Sequence, residues 1–411
     1  MKRLSLLILL FGTIAINAQQ KAQYLGFRLA EGISKVTIPI EINNNLIIMP
    51  VVINGQLPLK FILDTGVRTA ILTQKSYSDI LGLPYSRQYT IASPGGEHLL
   101  TAYVTNNVTF YLPPGITGTG HAMLVLEKDY LELRNFMGME VHGVLGYELF
   151  SRFVITINYH DKVLELQDVK TFKPKRNFVT LPIAIEDTKP FLITNVGLHK
   201  KKELKLLVDT GASHGLMLDT ESDKDIVVPA NNIKTIVGRA LGGEITGRIA
   251  RVSSLDLGKY QFKNIITSFP DPNSYMDTLK GSFVQRNGSI GGEILSRFKV
   301  IFNYPEGKIY LKKNPSYKKE FQHSLSGITL KAKGSKLNVF EVIDVRANSV
   351  AEKADIHKGD LLISVNGTNA STFGLNELNG EINYKKGKRL VLILDRGGEK
   401  VRKIVVLVEE I

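Results

Sequence analysis

The segment Lys60–Leu72 reads KFILDTGVRTAIL and the segment Lys205–Leu218 reads KLLVDTGASHGLML. An apolar strand ending in Asp-Thr-Gly therefore occurs twice, at Asp64 and at Asp209. At average residue usage about 0.1 such tripeptides are expected by chance in a chain of this length. Other matches keep the same spacing. GVLGYELFSRFVITINYHDKVLEL (Gly143–Leu166) parallels GSIGGEILSRFKVIFNYPEGKIYL (Gly288–Leu311), and Gly146 lies 145 residues before Gly291, as Asp64 does before Asp209. Asn158 and Asn303 keep that offset, and KVTIPIEI (Lys35–Ile42) resembles FVTLPIAI (Phe178–Ile185). The chain is a tandem duplication, and any fold assigned to it must use two like units.

Each unit reads as mostly β: short runs of Val, Ile, Phe and Tyr separated by Gly, Asn and Pro. Helical patterns are brief, with Thr73–Leu81 a candidate capped by Thr73. QDVKTFKPKRN (Gln167–Asn177) reads as a linker between the units, and KKNPSYKKEFQHS (Lys312–Ser324) as a second linker after them.

One exposed carboxylate does little chemistry. Two at hydrogen-bond distance cannot both ionise, so they share a proton; one then serves as base toward a water and the other as acid. A duplicated unit offering one aspartate per copy builds such a pair about a pseudo-twofold axis. In that setting Gly66 and Gly211 let the loops approach and turn sharply. Thr65 and Thr210 offer hydroxyls to brace the pair. Val144-Leu145-Gly146 and Ser289-Ile290-Gly291 would pass beneath the aspartate loops, where only glycine leaves room. Gly95-Gly96-Glu97 and Gly242-Gly243-Glu244 follow their aspartates by 31 and 33 residues, where a hairpin flap would cover substrate.

These paired motifs resemble aspartic peptidases of the pepsin/retropepsin type over roughly residues 35–315. The resemblance implies two tandem retropepsin-like β-barrel lobes, residues 35–169 and 178–315. It implies Asp64 and Asp209 as the catalytic pair, with Thr65, Gly66, Thr210 and Gly211 supporting the dyad. Gly95, Gly96, Gly242 and Gly243 are the flap candidates. Two departures sit beside Asp64: Val67 brings no hydroxyl, and Arg68 brings a cation that would lower the dyad's pKa values or bind a substrate carboxylate, or else face solvent or an acidic neighbour. Ser289 replaces an apolar residue. His214, five residues past Asp209, is expected on the surface or behind the site rather than as its base, and Glu148 and Glu293 read as helix-start or pairing residues.

Residues 325–411 stand outside the repeat. Ser349-Val350-Ala351-Glu352-Lys353-Ala354, Gly359-Asp360-Leu361-Leu362 and Asn366-Gly367 resemble a PDZ domain of the bacterial protease type. That resemblance implies capture of a peptide, often a free C-terminus, by strand addition, with a backbone nest for the carboxylate. Leu325-Ser326-Gly327-Ile328 is the best match to the nest, which makes Gly327 and Ile328 the peptide-binding candidates. Packing of this domain on the lobes is the other reading.

The N-terminus carries Met1-Lys2-Arg3, an apolar run Leu4–Ile16 and a small residue at Ala18, the pattern of a signal peptide over residues 1–18. Residues 19–34 form an N-terminal segment before the first unit. The apolar run is shorter than the ~20 residues that span a bilayer, and no later stretch is apolar enough, so no transmembrane segment is expected after signal cleavage. The chain has no cysteine, which excludes disulfides and thiolate chemistry. Its eight histidines show no metal spacing. The net charge of +13 is scattered and lacks aromatic interleaving, so no nucleic-acid partner is expected. The expectation is an exported bacterial aspartic endopeptidase, periplasmic or extracellular, acting on peptide or protein without cofactor. The alternative is a non-catalytic peptide- or protein-binding scaffold that keeps the protease fold.

Overall fold

The computed structural model describes residues 25–92, 99–240, 243–272 and 284–411. The expected signal peptide, the start of the N-terminal segment, and Gly95, Gly96 and Gly242 lie outside the described residues. The described chain is mostly β, in four sheets. A nine-stranded sheet carries the first lobe and an eight-stranded sheet the second. Both lobes build a six-stranded sheet together, and a separate six-stranded sheet makes the C-terminal domain.

The shared sheet is where the duplication becomes architecture. Its order runs Val179–Pro182, Lys308–Lys313, Phe298–Asn303, Phe153–Asn158, Val163–Asp168, Lys35–Pro39. At its centre the two repeated SRF-x-x-x-x-N strands pair antiparallel, with Thr156 opposite Ile301. Those two residues are each other's counterpart in the repeat, so a local twofold axis passes between them. The six residues of Phe153–Asn158 are all buried because both faces are covered. One face joins the main core with Phe150 and Phe302, and the other carries Val154, Ile301 and Tyr310 under Phe172 and Phe178. The repeated asparagines close the turns that follow: Asn158 Oδ1 accepts from the Asp161 N–H at 3.2 Å, and Asn303 Oδ1 from the Glu306 N–H at 3.3 Å.

One apolar core runs through both lobes, whereas the PDZ-like domain has its own. Among the described residues, no helix is long and apolar enough to cross a membrane. The expected helix Thr73–Leu81 is shorter, Lys75–Ile80, with Gln74 at its N-cap. Thr73 is not the cap, because its buried hydroxyl donates instead to the His142 carbonyl at 2.9 Å.

Candidate active site

Strands Leu57–Leu63 and Lys201–Val208 end at the two aspartates. Beside each runs a three-residue parallel strand, Gly143–Leu145 in one lobe and Gly288–Ile290 in the other. The last carbonyl of that strand accepts the aspartate N–H: Leu145 from Asp64 at 3.0 Å, Ile290 from Asp209 at 2.8 Å. The next residue must be glycine. A Cβ on Gly146 would lie 1.9 Å from the Asp64 carbonyl oxygen, and one on Gly291 would lie 2.3 Å from that of His214. Both glycines stand beneath the aspartate loops, as the motif spacing implies.

Four hydrogen bonds then lock the loops to each other. Thr65 Oγ1 accepts from the Thr210 N–H at 3.0 Å and donates to the Val208 carbonyl at 2.7 Å. Thr210 Oγ1 accepts from the Thr65 N–H at 3.0 Å and donates to the Leu63 carbonyl at 2.8 Å. Both threonines are fully buried. Each residue again meets its own counterpart, a second point on the axis marked by Thr156 and Ile301.

The lock brings the carboxyl groups together. Gly66 N–H donates to Asp64 Oδ1 at 2.6 Å, and Gly211 N–H donates to Asp209 Oδ1 at 2.9 Å. A Cβ on Gly211 would fall 2.1 Å from Asp64 Cγ, so this glycine supplies room for the opposing carboxyl. Neither glycine adopts a left-handed backbone; close approach, rather than a sharp turn, is what they provide. The Asp64 and Asp209 carboxyls lie within hydrogen-bond reach of each other. Burial, then the Asp209 charge, holds the Asp64 carboxyl far above its ordinary 3.8. Burial raises Asp209 too, opposed by the Gly211 N–H and then by the Arg286 cation. Two carboxyls this close and this buried cannot both ionise, so the pair holds one proton between them.

Arg68 does not face this pair. It is largely exposed and reaches Asp187, 4.0 Å away in the second lobe's hairpin turn. Its counterpart Ser213 makes the mirrored contact, its carbonyl accepting from Asn45 Nδ2 at 3.2 Å in the first lobe's hairpin turn. Among the described residues, Lys189 and Arg286, both from the second lobe, bring positive charge to bear on the dyad. Val67 packs on an apolar cluster containing Val144, Leu126 and Met137. In the second lobe Ser289 Oγ instead meets His214 Nε2 at 2.9 Å. Burial lowers the His214 pKa to about 4, which keeps its ring neutral near pH 7. Glu148 and Glu293 both fall in the first turn of short helices, where Glu148 pairs with buried His121 at 3.1 Å and Glu293 with Arg297 at 3.3 Å.

Sequence reasoning passed over Tyr159 and Tyr304, which follow the repeated asparagines at the shared offset. Both are buried, and burial followed by the dyad's negative charge pushes both phenols above their ordinary pKa. The repeated Asn-Tyr pair was the available signal. A hairpin rises in each lobe, Tyr85–Ala92 with Leu99–Leu112 and Asn232–Ala240 with Gly243–Leu257. Of the four flap glycines only Gly243 is described, and it opens its strand opposite Ala240. Among the described residues, no group of three or more His, Cys, Asp or Glu is placed to hold a metal.

The expected carboxylate nest is closed. Gly327 N–H donates to Ser324 Oγ, and Ile328 N–H to Ser326 Oγ, both at 3.2 Å. Ser326 N–H donates to Asn383 Oδ1 at 3.1 Å. Gly327 and Ile328 thus spend their donors within the domain rather than presenting them to a ligand. The signal missed was the run of serines around them, each able to bond a neighbouring N–H.

Residues 49–149 and 195–293 match the family described as aspartyl protease, and residues 315–394 match the PDZ domain. No curated protein matches the chain. Among solved structures, it is similar to basic 7S globulin from soybean, at 8% identity and a TM-score of 0.41, over 70% of this chain and 98% of that one. With one Asp-Thr-Gly loop in each matched segment, the chain carries two aspartyl protease lobes and a C-terminal PDZ domain.

Proposed function

We propose that the protein is an aspartic endopeptidase that hydrolyses peptide bonds with water activated by Asp64 and Asp209. The observation that carries this reading is the carboxyl pair, held face to face by four threonine hydrogen bonds and sharing one proton. Asp209, ionised, takes a proton from water as the water oxygen bonds to the scissile carbonyl carbon. Asp64 gives its proton to the carbonyl oxygen. Collapse of the tetrahedral intermediate breaks the C–N bond as a proton passes to the leaving amine, and the dyad regains its single proton. Thr65, Thr210, Gly66 and Gly211 act as positioning residues. The N-terminal pattern supports an exported protein, and the PDZ domain supports a peptide-binding role outside the cleft.

The test is cleavage of an unfolded protein across mildly acidic pH, with and without an inhibitor that mimics the tetrahedral intermediate. Cleavage that the inhibitor blocks and that Asp64→Asn abolishes is the expected result. Peptide binding that survives Asp64→Asn, with no cleavage at any pH, would establish the scaffold reading instead.

A further inference from the structure

Among the described residues, the sheet of the PDZ domain ends at strand Ile328–Lys333, which pairs on one side only, with Val339–Val345. Helix Leu375–Glu381 packs against this strand. The free edge of such a strand is where a peptide adds. Here a segment of the first lobe lies against it. Asn135 Nδ2 donates to the Ala332 carbonyl at 2.8 Å, and Arg134 Nη2 to the Ser335 carbonyl at 2.8 Å. Lys331 Nζ reaches Glu132 Oε1 at 2.5 Å. At the helix side, Gly138 abuts Leu375 so closely that a Cβ would fall 2.5 Å from the leucine Cβ. Glu132–Gly138 thus touches both the strand edge and the helix.

The same segment faces two other bodies. Met137 is buried in the apolar cluster of Val144, Ile71 and Leu126, onto which Leu133 and Val67 pack, and Val67 is three residues past Asp64. Across the lobes, the Arg239 guanidinium lies over the Phe136 ring at 3.7 Å and within 3.9 Å of Glu132. Arg239 belongs to the second lobe's hairpin, Asn232–Ala240. Lys331 stands 5.2 Å from that same ring. First lobe, opposite hairpin and PDZ domain therefore meet on one seven-residue segment.

We propose that Glu132–Gly138 is the PDZ domain's own internal ligand, and that an extended peptide adding to the Ile328–Lys333 edge displaces it. This displacement frees the Arg239 hairpin from the first lobe. The closed nest at Gly327 and Ile328 fits the same picture, since an internal segment brings no terminal carboxylate. The contact and its displacement rest on geometry alone, independently of the reading of the dyad as catalytic.

Amide hydrogen exchange on the full chain tests it, with each variant on one body read out on the other. Lys331→Glu, in the PDZ domain, should speed exchange in Glu132–Gly138 and in Asn232–Ala240 at least tenfold. Asn135→Ala, in the first lobe, should do the same in Ile328–Lys333. In both, the PDZ strand Arg389–Arg396 should keep its wild-type exchange. Unchanged exchange across the contact in both variants would overturn the proposal, as would faster exchange at Glu132–Gly138 that leaves Asn232–Ala240 unmoved. A labelled peptide copying residues 127–140 should bind Asn135→Ala at least tenfold more tightly than wild type, because a tethered competitor acts at an effective concentration on the order of millimolar. Equal affinities would count against it. None of these measurements needs a turnover, so they decide the contact even if no variant cleaves a peptide.

Discussion

The two aspartate loops have one backbone and two environments. Each aspartate N–H goes to the strand beside it, each carboxyl takes a glycine N–H two residues on, and each threonine braces the other loop. Around that shared frame the sides differ. The segment after Asp64 packs Val67 on the cluster of Val144 and Met137, whereas the segment after Asp209 brings His214 to Ser289, and Asp209 feels the charge of Arg286. The difference teaches how a symmetric pair acquires asymmetric roles. A dyad on a perfect twofold axis has no reason to place its one proton on either oxygen. Apolar packing beside the Asp64 loop and the Arg286 charge on Asp209 make the two carboxyls inequivalent.

The largest test of that asymmetry is removal of either carboxylate. Asp64→Asn and Asp209→Asn should each reduce cleavage by about 10²–10⁴-fold, the usual worth of a positioned acid or base. Their stability effects should differ with pH. The native Asp64 carboxyl keeps a proton that the unfolded chain releases near 3.8, so it costs stability increasingly as pH rises from 3.8 toward its raised value. Asp64→Asn should therefore raise the melting temperature at pH 7 and leave it unchanged near pH 3. A gain at both would break the assignment.

Next in size are the threonines. Thr65→Val leaves the Thr210 N–H and the Val208 carbonyl buried without a partner, and Thr210→Val does the mirrored damage. Each should cost about 2–4 kcal/mol in urea unfolding. Equal losses support the symmetric frame; a clear inequality would show that one loop carries the brace. Smaller again is Arg286→Gln. Without that cation the Asp209 carboxyl rises further, so the acid limb of the pH–rate profile should move to higher pH. A shift to lower pH would remove Arg286 from the account. The smallest change is Ser289→Val, which copies Val144 into the second lobe and strips His214 of its partner. It should cost roughly 1 kcal/mol, with kcat unchanged.

The parts of the site that were legible before any coordinates were those written twice. Repetition identified the aspartates, the bracing threonines and the glycines beneath the loops, because covalent spacing survives duplication. Other features hung on contacts with no local pattern. Arg68 left two readings open, a cation on the dyad or a pairing with an acidic neighbour, because its partner Asp187 lies in the other lobe. The sheet shared by the two lobes was not legible because nothing in VITIN or VIFN states that these strands pair with each other. Thr73 had the right residue type for a cap, but tertiary structure offered its hydroxyl a carbonyl first. The PDZ pattern was readable as a fold, whereas the occupant of its edge strand depends on a segment about 200 residues earlier.

The pairing of Thr156 with Ile301 also has a consequence in time. When the first lobe leaves the ribosome, its strand Phe153–Asn158 has a neighbour on one side only, and its partner has not been made. At synthesis rates of 5–20 residues per second, those 145 residues take about 7–30 s to appear. Throughout that interval an apolar strand edge stands open to any chain that pairs with it first. A nascent chain of this design has its greatest need of a chaperone halfway through its own translation.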